Sequence, residues 1–156
     1  MTENNLIPGS GGASGKTLTN PVRFMNAVVM FLYRTSGGRV ANRMQKAPIM
    51  LLTSTGWRSG KPRTNPVLYI QDGEDYVAVA SAGGAKKDPS WFVNLMHNPD
   101  ALITVGRMRT RVKARRASPD ERARLWPRMT SVYSTYDDYA KKTPRQIPVV
   151  ILTPVP

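Results

Sequence analysis

Cysteine, histidine and acidic residues are the groups that this chain of 156 residues lacks or has few of. Because there is no cysteine, disulfides, thiolate metal sites, iron–sulfur clusters and cysteine nucleophiles are excluded. The single histidine, His97, excludes multi-histidine metal centres, and it would have to serve any serine-type triad alone. Asn98-Pro99 follows it, which favours the end of a helix, where a cation complements the helix dipole. We therefore expect no metal site.

Acidic residues number 10 against 23 basic ones, so the net charge is +13 and the sequence pI is about 10.6. A field of this sign attracts polyanions, which include nucleic acid, anionic lipid and a multiply negative small molecule. The charge alone does not choose among these partners.

Long hydrophobic runs are also missing. The longest uncharged one, residues 24–33, is shorter than the roughly 20 residues that span a bilayer, and the polar first residues do not resemble a signal peptide. We therefore expect a cytoplasmic protein. Residues 1–19 are rich in Gly, Ser and Asn and predict a flexible tail, whereas residues 20–156 predict a single folded domain.

An amphipathic helix is expected at the start of this domain. Asn20 and Pro21 suit the N-cap and the first helical position, and apolar residues then recur at helical spacing. The helix could pack on the domain or lie on a membrane surface, with its apolar face in lipid and its arginines at the headgroups. The second alternative would be a peripheral contact of residues 21–46 with the inner face of the cell membrane.

Strand patterns dominate the rest of the chain. Apolar and β-branched runs predict strands at residues 49–55, 64–71, 76–82, 101–105, 109–117 and 149–152, most of them joined by short turns. One helix is expected after Asp88-Pro89, and another from the capping box that begins at Ser118, which Pro127 should kink or end. Hairpin-linked strands that outnumber the helices predict an α+β fold, a small antiparallel barrel flanked by helices.

The segment Thr55-Gly56-Trp57-Arg58-Ser59-Gly60-Lys61-Pro62-Arg63 connects the first two of these strands. Its two glycines and its proline force a tight connection, from which three cations project. Such a cationic loop is suited to binding phosphate, although a solvated hairpin turn has the same local features.

A second concentration of charge lies near residue 110. Arg107, Arg109, Arg111, Lys113 and Arg115, named here the basic stripe, alternate with other residues, so that the period of a strand places all five on one face. This pattern is typical of an edge or outer face that charge keeps soluble. The alternative is a track for an acidic tail or for nucleic acid.

The cationic loop with its flanks, from Leu52 to Pro66, closely resembles the hallmark of the actinobacterial deazaflavin-dependent nitroreductase family. A second block, Val79-Ala80-Ser81-Ala82-Gly83-Gly84 and then Pro89-Ser90-Trp91-Phe92-Val93-Asn94, is also similar to that family. The resemblance covers residues from about 24 to 154. It implies a split β-barrel related to FMN-binding oxidases. It also implies the cofactor coenzyme F-420, an 8-hydroxy-5-deazaflavin with a phosphate and an oligoglutamate tail.

The resemblance further implies which residues meet the cofactor. Arg58 and Arg63 would hold the phosphate, assisted by amides from Trp57 to Ser59. Three more segments would line the deazaflavin: Thr64, Asn65, Pro66, Val67 and Leu68 at its edge; Val79, Ala80, Ser81 and Ala82 beneath it; Ser90, Trp91, Phe92, Val93 and Asn94 along the pocket. Ala82 departs from the family, in which this position is often basic and meets the tail, so that Lys86 or Lys87 would have to replace it.

Two residues are implied to act on the acceptor. Tyr136 would close the pocket over cofactor and substrate, and together with Ser81 it would orient or protonate the acceptor. Tyr133 and Tyr139 lie three residues to either side of Tyr136 and share its expected helical face, so we assign both to core packing.

The predicted function is hydride transfer from reduced coenzyme F-420 to an electron-poor small molecule, an enone, a quinone or a nitroaromatic. A deazaflavin carries the hydride, so the protein needs neither a metal nor a nucleophile. The alternatives are an FMN-dependent oxidoreductase of the same fold, a nucleic-acid-binding module that uses residues 107–116, and a lipid- or quinone-associated binding protein. No recognised nucleic-acid motif is present, so we do not expect that partner. The oligomeric state is not predicted.

Overall fold

The computed structural model describes residues 43–44 and 47–156, and the expected tail and first helix lie outside these residues. The described chain forms eight strands and three α-helices. The strands are β1 (Arg43–Met44), β2 (Ala47–Thr55), β3 (Pro62–Leu68), β4 (Ile70–Asp72), β5 (Asp75–Val79), β6 (Asp100–Val105), β7 (Met108–Arg116) and β8 (Val149–Pro154), and the helices are α1 (Ser90–His97), α2 (Pro119–Val132) and α3 (Thr135–Lys142).

The strands form one antiparallel sheet in the order β1-β2-β6-β7-β8-β5-β4, with β3 paired to β2 beside this path. The predicted strand at 64–71 is divided, because the chain changes partner at Tyr69: β3 pairs with β2, and β4 pairs with β5. The β4 end of the path is thereby connected through β3 to β2, the second strand at the other end. The architecture is the predicted split β-barrel with flanking helices.

Apolar residues fill both faces of the sheet. Inside the curl, Met50, Leu52, Ile103 and Leu152 pack with Trp91, Phe92 and Leu95 of α1. A second core lies on the other face. There, Leu125 and Met129 of α2 and Tyr136 of α3 pack against Val77, Val79, Val149 and Ile151. Because successive residues of a strand point to opposite faces, the continuous apolar run of β8 supplies both cores.

The capping box is confirmed at the start of α2. The Ser118 hydroxyl accepts a bond from the Glu121 amide at 3.2 Å, and the Glu121 carboxylate accepts one from the Ser118 amide at 3.1 Å. Of the two predicted effects of Pro127, a kink or an end of the helix, the end is wrong, since α2 continues to Val132. Pro127 lies on the exposed side, where water can satisfy the carbonyl that loses its helical partner, while buried Leu125 and Met129 hold the helix on the sheet.

The basic stripe lies on an outer face. Arg109, Arg111, Lys113 and Arg115 of β7 are exposed, and Val112 and Ala114 between them are buried. The alternative of an edge strand is wrong, because β7 pairs with β6 on one side and with β8 on the other. None of the helices in the described part of the chain has the length and apolar character needed to cross a membrane.

Candidate cofactor site

The cationic loop between β2 and β3 is closed by its own backbone. The Gly56 amide donates to the Lys61 carbonyl at 2.8 Å, and the Gly60 amide donates to the Gly56 carbonyl at 2.8 Å. Gly60 has φ +68°, which favours glycine, and a Cβ on Gly56 would lie 2.6 Å from the Ser59 hydroxyl oxygen. The two glycines therefore permit the tight turn that the sequence predicts, with the cations on its exposed side.

Helix α1 holds this loop through one buried side chain. The Trp57 amide donates to the Asn94 carboxamide oxygen at 3.1 Å, and the Asn94 amide group donates to the Ser54 hydroxyl at 3.4 Å. The resemblance implies a cofactor contact for Asn94, and in the structure its side chain connects α1 to the end of β2 and to the loop. Because the Trp57 amide donates to Asn94, it is not available to bind phosphate. Of the amides expected to bind the phosphate, those of Arg58 and Ser59 remain.

Two side chains of the loop stack with His97 of α1, and the sequence did not indicate this contact. The guanidinium of Arg58 lies 4.5 Å from the Trp57 ring centre, and the His97 ring stacks on Trp57 with centres 4.4 Å apart. The Nδ1 atom of His97 donates to the Val93 carbonyl at 2.9 Å, which fixes the ring at the end of α1 as predicted. Arg63 extends toward the Ser59 hydroxyl, with 3.5 Å between the donor and acceptor atoms. These contacts orient two of the three cations.

Strand β3 presents an open edge beside the loop. In an antiparallel pair, residues that bond to the partner alternate with residues that do not. The Tyr69 amide donates to the Pro48 carbonyl at 3.1 Å, so by alternation Thr64 and Leu68 turn their backbone groups away from β2. Pro62 and Pro66 share this orientation, which a residue without an N–H can occupy at no cost to the ladder. Among the described strands, β3 pairs with β2 alone.

The second predicted block ends a strand and forms a turn. Strand β5 stops at Val79, so the prediction that it continues to residue 82 is wrong. Ala82, Gly83 and Gly84 have φ values of 47°, 64° and 79°, and this left-handed run reverses the chain before the ladder can continue. Val79 and Ala80 are buried, Ser81 is half-buried, and Ala82 is exposed.

Helix α3 lies against this turn and carries Tyr136. A Cβ on Gly84 would lie 2.7 Å from the Tyr139 carbonyl oxygen, which shows how closely the turn and α3 approach. Tyr136 is 4% exposed, and its ring centre lies 4.8 Å from that of Tyr133. Burial raises the pKa of the Tyr136 hydroxyl well above its usual value, with smaller contributions from Tyr133 and Tyr139. The hydroxyl is therefore neutral across the physiological pH range and can donate a hydrogen bond.

The three tyrosines meet, but not on one helical face as predicted. Tyr133 follows the end of α2, whereas Tyr136 and Tyr139 belong to α3. The hydroxyls of Tyr133 and Tyr139 are 3.2 Å apart, and this hydrogen bond, followed by burial, raises the pKa of Tyr139 to about 12. The three rings contact one another in the second core, so that packing of Tyr133 is confirmed.

The segment at the start of α1 is partly buried in the core. Trp91 and Phe92 are buried in the core inside the curl, with their rings edge to face and 6.4 Å between centres. Ser90 is exposed and Val93 is half-buried. The described contact between this segment and the cationic loop is made by Asn94 and by His97.

One further residue of the site escaped sequence reasoning. Arg145, three residues after the end of α3, donates to the Ser81 carbonyl at 2.8 Å. A single arginine after Thr143 and Pro144 forms no motif, so nothing in the local sequence indicated this contact.

A split barrel with a cationic hairpin loop is the arrangement that the resemblance to deazaflavin-dependent oxidoreductases implies. Residues 24–154 match the model of the F420H(2)-dependent quinone reductase family, and the chain belongs to that family. It is therefore a reductase that uses reduced coenzyme F-420.

Individual relatives agree with this assignment. Two Mycobacterium tuberculosis proteins that carry the same quinone reductase name are Rv3178, 46% identical over 69% of this chain and 90% of the relative, and Rv1261c, 40% identical over 78% and 85%. A solved structure of FDR-A, a reductase dependent on reduced F-420, is 38% identical with a TM-score of 0.63. The similarity covers 67% of this chain and 93% of that one.

Proposed function

We propose that this reductase binds the phosphate of coenzyme F-420 on the cationic loop and reduces a quinone-type acceptor beside it. The deazaflavin would lie beside β3 and the turn of residues 81–84, named here the Ser81 turn. The proposal rests on the hydrogen bond from the Trp57 amide to Asn94, which fixes a strongly cationic loop to the barrel core. A loop held in this way binds an anion without first losing conformational freedom.

The residues present suit the chemistry of the cofactor. Arg58 and Arg63 are exposed cations oriented by the Trp57 ring and by Ser59, and guanidinium groups match phosphate oxygens in geometry and charge. The outward backbone groups of Thr64 and Leu68 offer hydrogen bonds to a flat polar heterocycle. Ala82 occupies the position at which the family often has a basic residue that meets the oligoglutamate tail. The exposed residues Lys86 and Lys87 follow it within five positions and supply the positive charge instead.

Bound F-420 supplies the hydride, and the chain supplies position and charge stabilisation. As a quinone is reduced, negative charge develops on its oxygen, and a donor aimed at that oxygen lowers the barrier. We assign this donor to the Tyr136 hydroxyl, whose raised pKa keeps it protonated. Ser81, half-buried at the end of β5, is the second candidate donor.

Fluorescence titration with coenzyme F-420 and with FMN tests the cofactor assignment. Trp57 lies within the cationic loop and is 46% exposed, so a ligand bound there should quench its emission. F-420 is expected to bind with a dissociation constant of roughly 1 μM or below, about −8 kcal/mol, and FMN much more weakly. FMN affinity equal to that of F-420 would overturn the assignment.

A cytoplasmic location with a peripheral membrane contact through residues 21–46 completes the proposal, since quinones are apolar and dissolve in lipid. The test is flotation of the full chain with anionic liposomes. Reversing the charges of Arg23, Arg34 and Arg39 to Glu is expected to abolish flotation. The matched control reverses Arg107, Arg109 and Arg111 of the basic stripe. Loss of flotation in the control alone would assign lipid binding to the stripe instead of residues 21–46.

A further inference from the structure

Arg145 is the most fully hydrogen-bonded cation in the described part of the chain. Its Nε donates to the Ala85 carbonyl at 2.9 Å, and its Nη1 donates to the Asp88 carboxylate at 2.8 Å and to the Ala80 carbonyl at 3.4 Å. Its Nη2 donates to the Ser81 carbonyl at 2.8 Å and to the Ala80 carbonyl at 3.3 Å. All five donors of the guanidinium are thus used within the protein, and none remains for a ligand.

The acceptors of Arg145 converge because of the backbone that lies between them. The left-handed run at Ala82, Gly83 and Gly84 bends the chain so that carbonyls before and after the turn point to one place. Oxygen dipoles brought together in this way repel one another unless a cation lies between them. A left-handed non-glycine residue such as Ala82 is also strained, and it persists only where surrounding contacts hold it. The side chain of Arg145 is only 16% exposed, so its bonds are largely shielded from water.

Arg145 also connects elements that carry other parts of the site. It follows α3, which contains Tyr136, and it donates a hydrogen bond to the carbonyl of Ser81. Its partner Asp88 immediately precedes Pro89, the N-cap of α1, and α1 carries Asn94, which holds the cationic loop. One side chain therefore ties together the end of α3, the Ser81 turn and the beginning of α1.

We infer that Arg145 is a positioning residue, whose guanidinium holds the Ser81 turn and α3 in the arrangement that the reaction requires. The inference rests on the proposed function for Ser81 and Tyr136. Because the cationic loop has its own anchor in Asn94, loss of Arg145 should disturb turnover far more than cofactor binding. A residue that only stabilises the fold would not separate the two in this way.

The variants are Arg145→Met and Arg145→Lys, and the matched control is Arg124→Met. Arg124 also pairs with an aspartate, because its guanidinium donates to the Asp72 carboxylate at 3.0 and 2.8 Å, and this contact joins α2 to the end of β4. Lysine keeps the charge of Arg145 but cannot reproduce the planar fork that reaches four groups.

Two readouts are needed, kcat with the quinone menadione and hydrogen exchange of the amides of residues 82–88 without cofactor. For Arg145→Met we expect a loss of at least tenfold in kcat, F-420 affinity within threefold of the unsubstituted protein, and exchange at least tenfold faster. Arg145→Lys should behave similarly, and Arg124→Met should change none of these quantities. Unchanged exchange or full kcat in Arg145→Met would overturn the inference, as would equal losses in Arg124→Met.

Further comparisons keep the outcome interpretable. If Arg145→Met does not fold, Arg145→Lys carries the same test, and an unchanged kcat in that variant would exclude the role of the fork. Free guanidinium at millimolar concentration should partly restore kcat to Arg145→Ala. Failure of the unsubstituted protein to oxidise reduced F-420 would contradict the proposed function, whereas the exchange readout reports on Arg145 without any cofactor.

Discussion

Asn94 on α1 accepts a hydrogen bond from the backbone amide of Trp57 at 3.1 Å, so a helix of the barrel core holds the loop that carries the cations. Asn94 is 5% exposed, and 37 residues separate it from Trp57. The proposed binding of an anion by the loop thus depends on a side chain that is not itself charged. A substitution of Asn94 therefore changes what holds the loop in position and leaves the charge of the loop unchanged.

Asn94→Ala should weaken binding of coenzyme F-420 while the three cations remain in place. The substitution leaves the Trp57 amide without its partner, which typically costs about 1–3 kcal/mol, and it frees the loop. Titration of tryptophan emission should show about a tenfold loss of affinity. The control is Ser54→Ala, which removes the other, 3.4 Å contact of Asn94. Equal affinity losses in the two variants would show that the Trp57 contact has no special importance.

Arg58→Ala and Arg63→Ala should each weaken F-420 binding with little change in thermal stability, because both side chains are exposed on the loop. Losing one charged hydrogen bond to phosphate typically costs roughly 1.5–3 kcal/mol, which is about one to two decades in affinity. Arg107→Ala removes another exposed cation, from the β6–β7 turn, and should leave the affinity unchanged. Normal affinity in both loop variants would place the phosphate elsewhere, with the basic stripe as the next candidate.

Sequence reasoning succeeded where the determining interactions are local. The cationic loop is specified by glycines and by residues within six positions of one another, and the capping box at Ser118 spans four residues. Both were predicted with correct positions. The contacts of Asn94 with Trp57 and of Arg145 with Ser81 join residues 37 and 64 positions apart, and no local pattern indicates them.

The errors also have physical causes. The change of partner at Tyr69 depends on how the sheet curls, which a continuous strand pattern at 64–71 does not express. Pro127 ends a helix only if its lost hydrogen bond matters more than the burial of Leu125 and Met129, and here the burial prevails. The tyrosines were expected together because of helical spacing, yet they meet across a break between two helices.

Gly84→Ala should destabilise the protein more than Gly83→Ala. Both residues have positive φ, 79° and 64°, so alanine at either site incurs the left-handed penalty of roughly 1–2 kcal/mol. A Cβ at Gly83 meets nothing within 4 Å, whereas at Gly84 it would lie 2.7 Å from the Tyr139 carbonyl oxygen. Urea denaturation should therefore show an additional loss for Gly84→Ala, and turnover should fall because α3 must shift. Equal stabilities would mean that the turn and α3 separate freely.

Stability should fall as the pH decreases from about 5 toward 2. Hydrogen bonding to Arg124, and then to Arg128, lowers the pKa of Asp72 to about 2, and Arg115 with the Ser118 amide lowers that of Glu121 to about 2. Both folded-state pKa values lie below the unfolded ones, so the stabilisation is complete above about pH 4.5 and is lost as each carboxylate is protonated. Each group contributes a slope of at most about 1.4 kcal/mol per pH unit, reduced by solvent screening.

The double variant Asp72→Asn, Glu121→Gln tests this dependence. Its urea midpoint should be lower at pH 7 and should vary less between pH 5 and pH 2 than that of the unsubstituted protein. Glu74→Gln, at an exposed residue of the β4–β5 turn, should leave the original profile. An equally steep acid transition in the double variant would assign the loss of stability to other carboxylates.

Tyr136→Phe should keep the affinity for F-420 within a few fold and slow the reduction of a quinone. Phenylalanine retains the ring that packs against Tyr133 and Trp126, so the second core should survive. It removes the hydroxyl that we assign as the donor to the acceptor oxygen. Loss of a principal donor of this kind typically lowers the rate by a factor of about 10²–10³. Single-turnover oxidation of the reduced cofactor, followed by absorbance, measures this step without product release.

The matched substitution is Tyr133→Phe. Its hydroxyl bonds to that of Tyr139 within the core, so its loss should affect stability more than rate. The raised pKa of Tyr136 adds a second criterion, since a hydroxyl that stays neutral over the working range contributes no inflection to the rate profile between pH 6 and about pH 9. A rate loss that is shared equally by the two variants would identify packing of the tyrosines as the requirement. An unchanged rate in Tyr136→Phe across several quinones would make Tyr136 a wall of the pocket and transfer the donor role to Ser81.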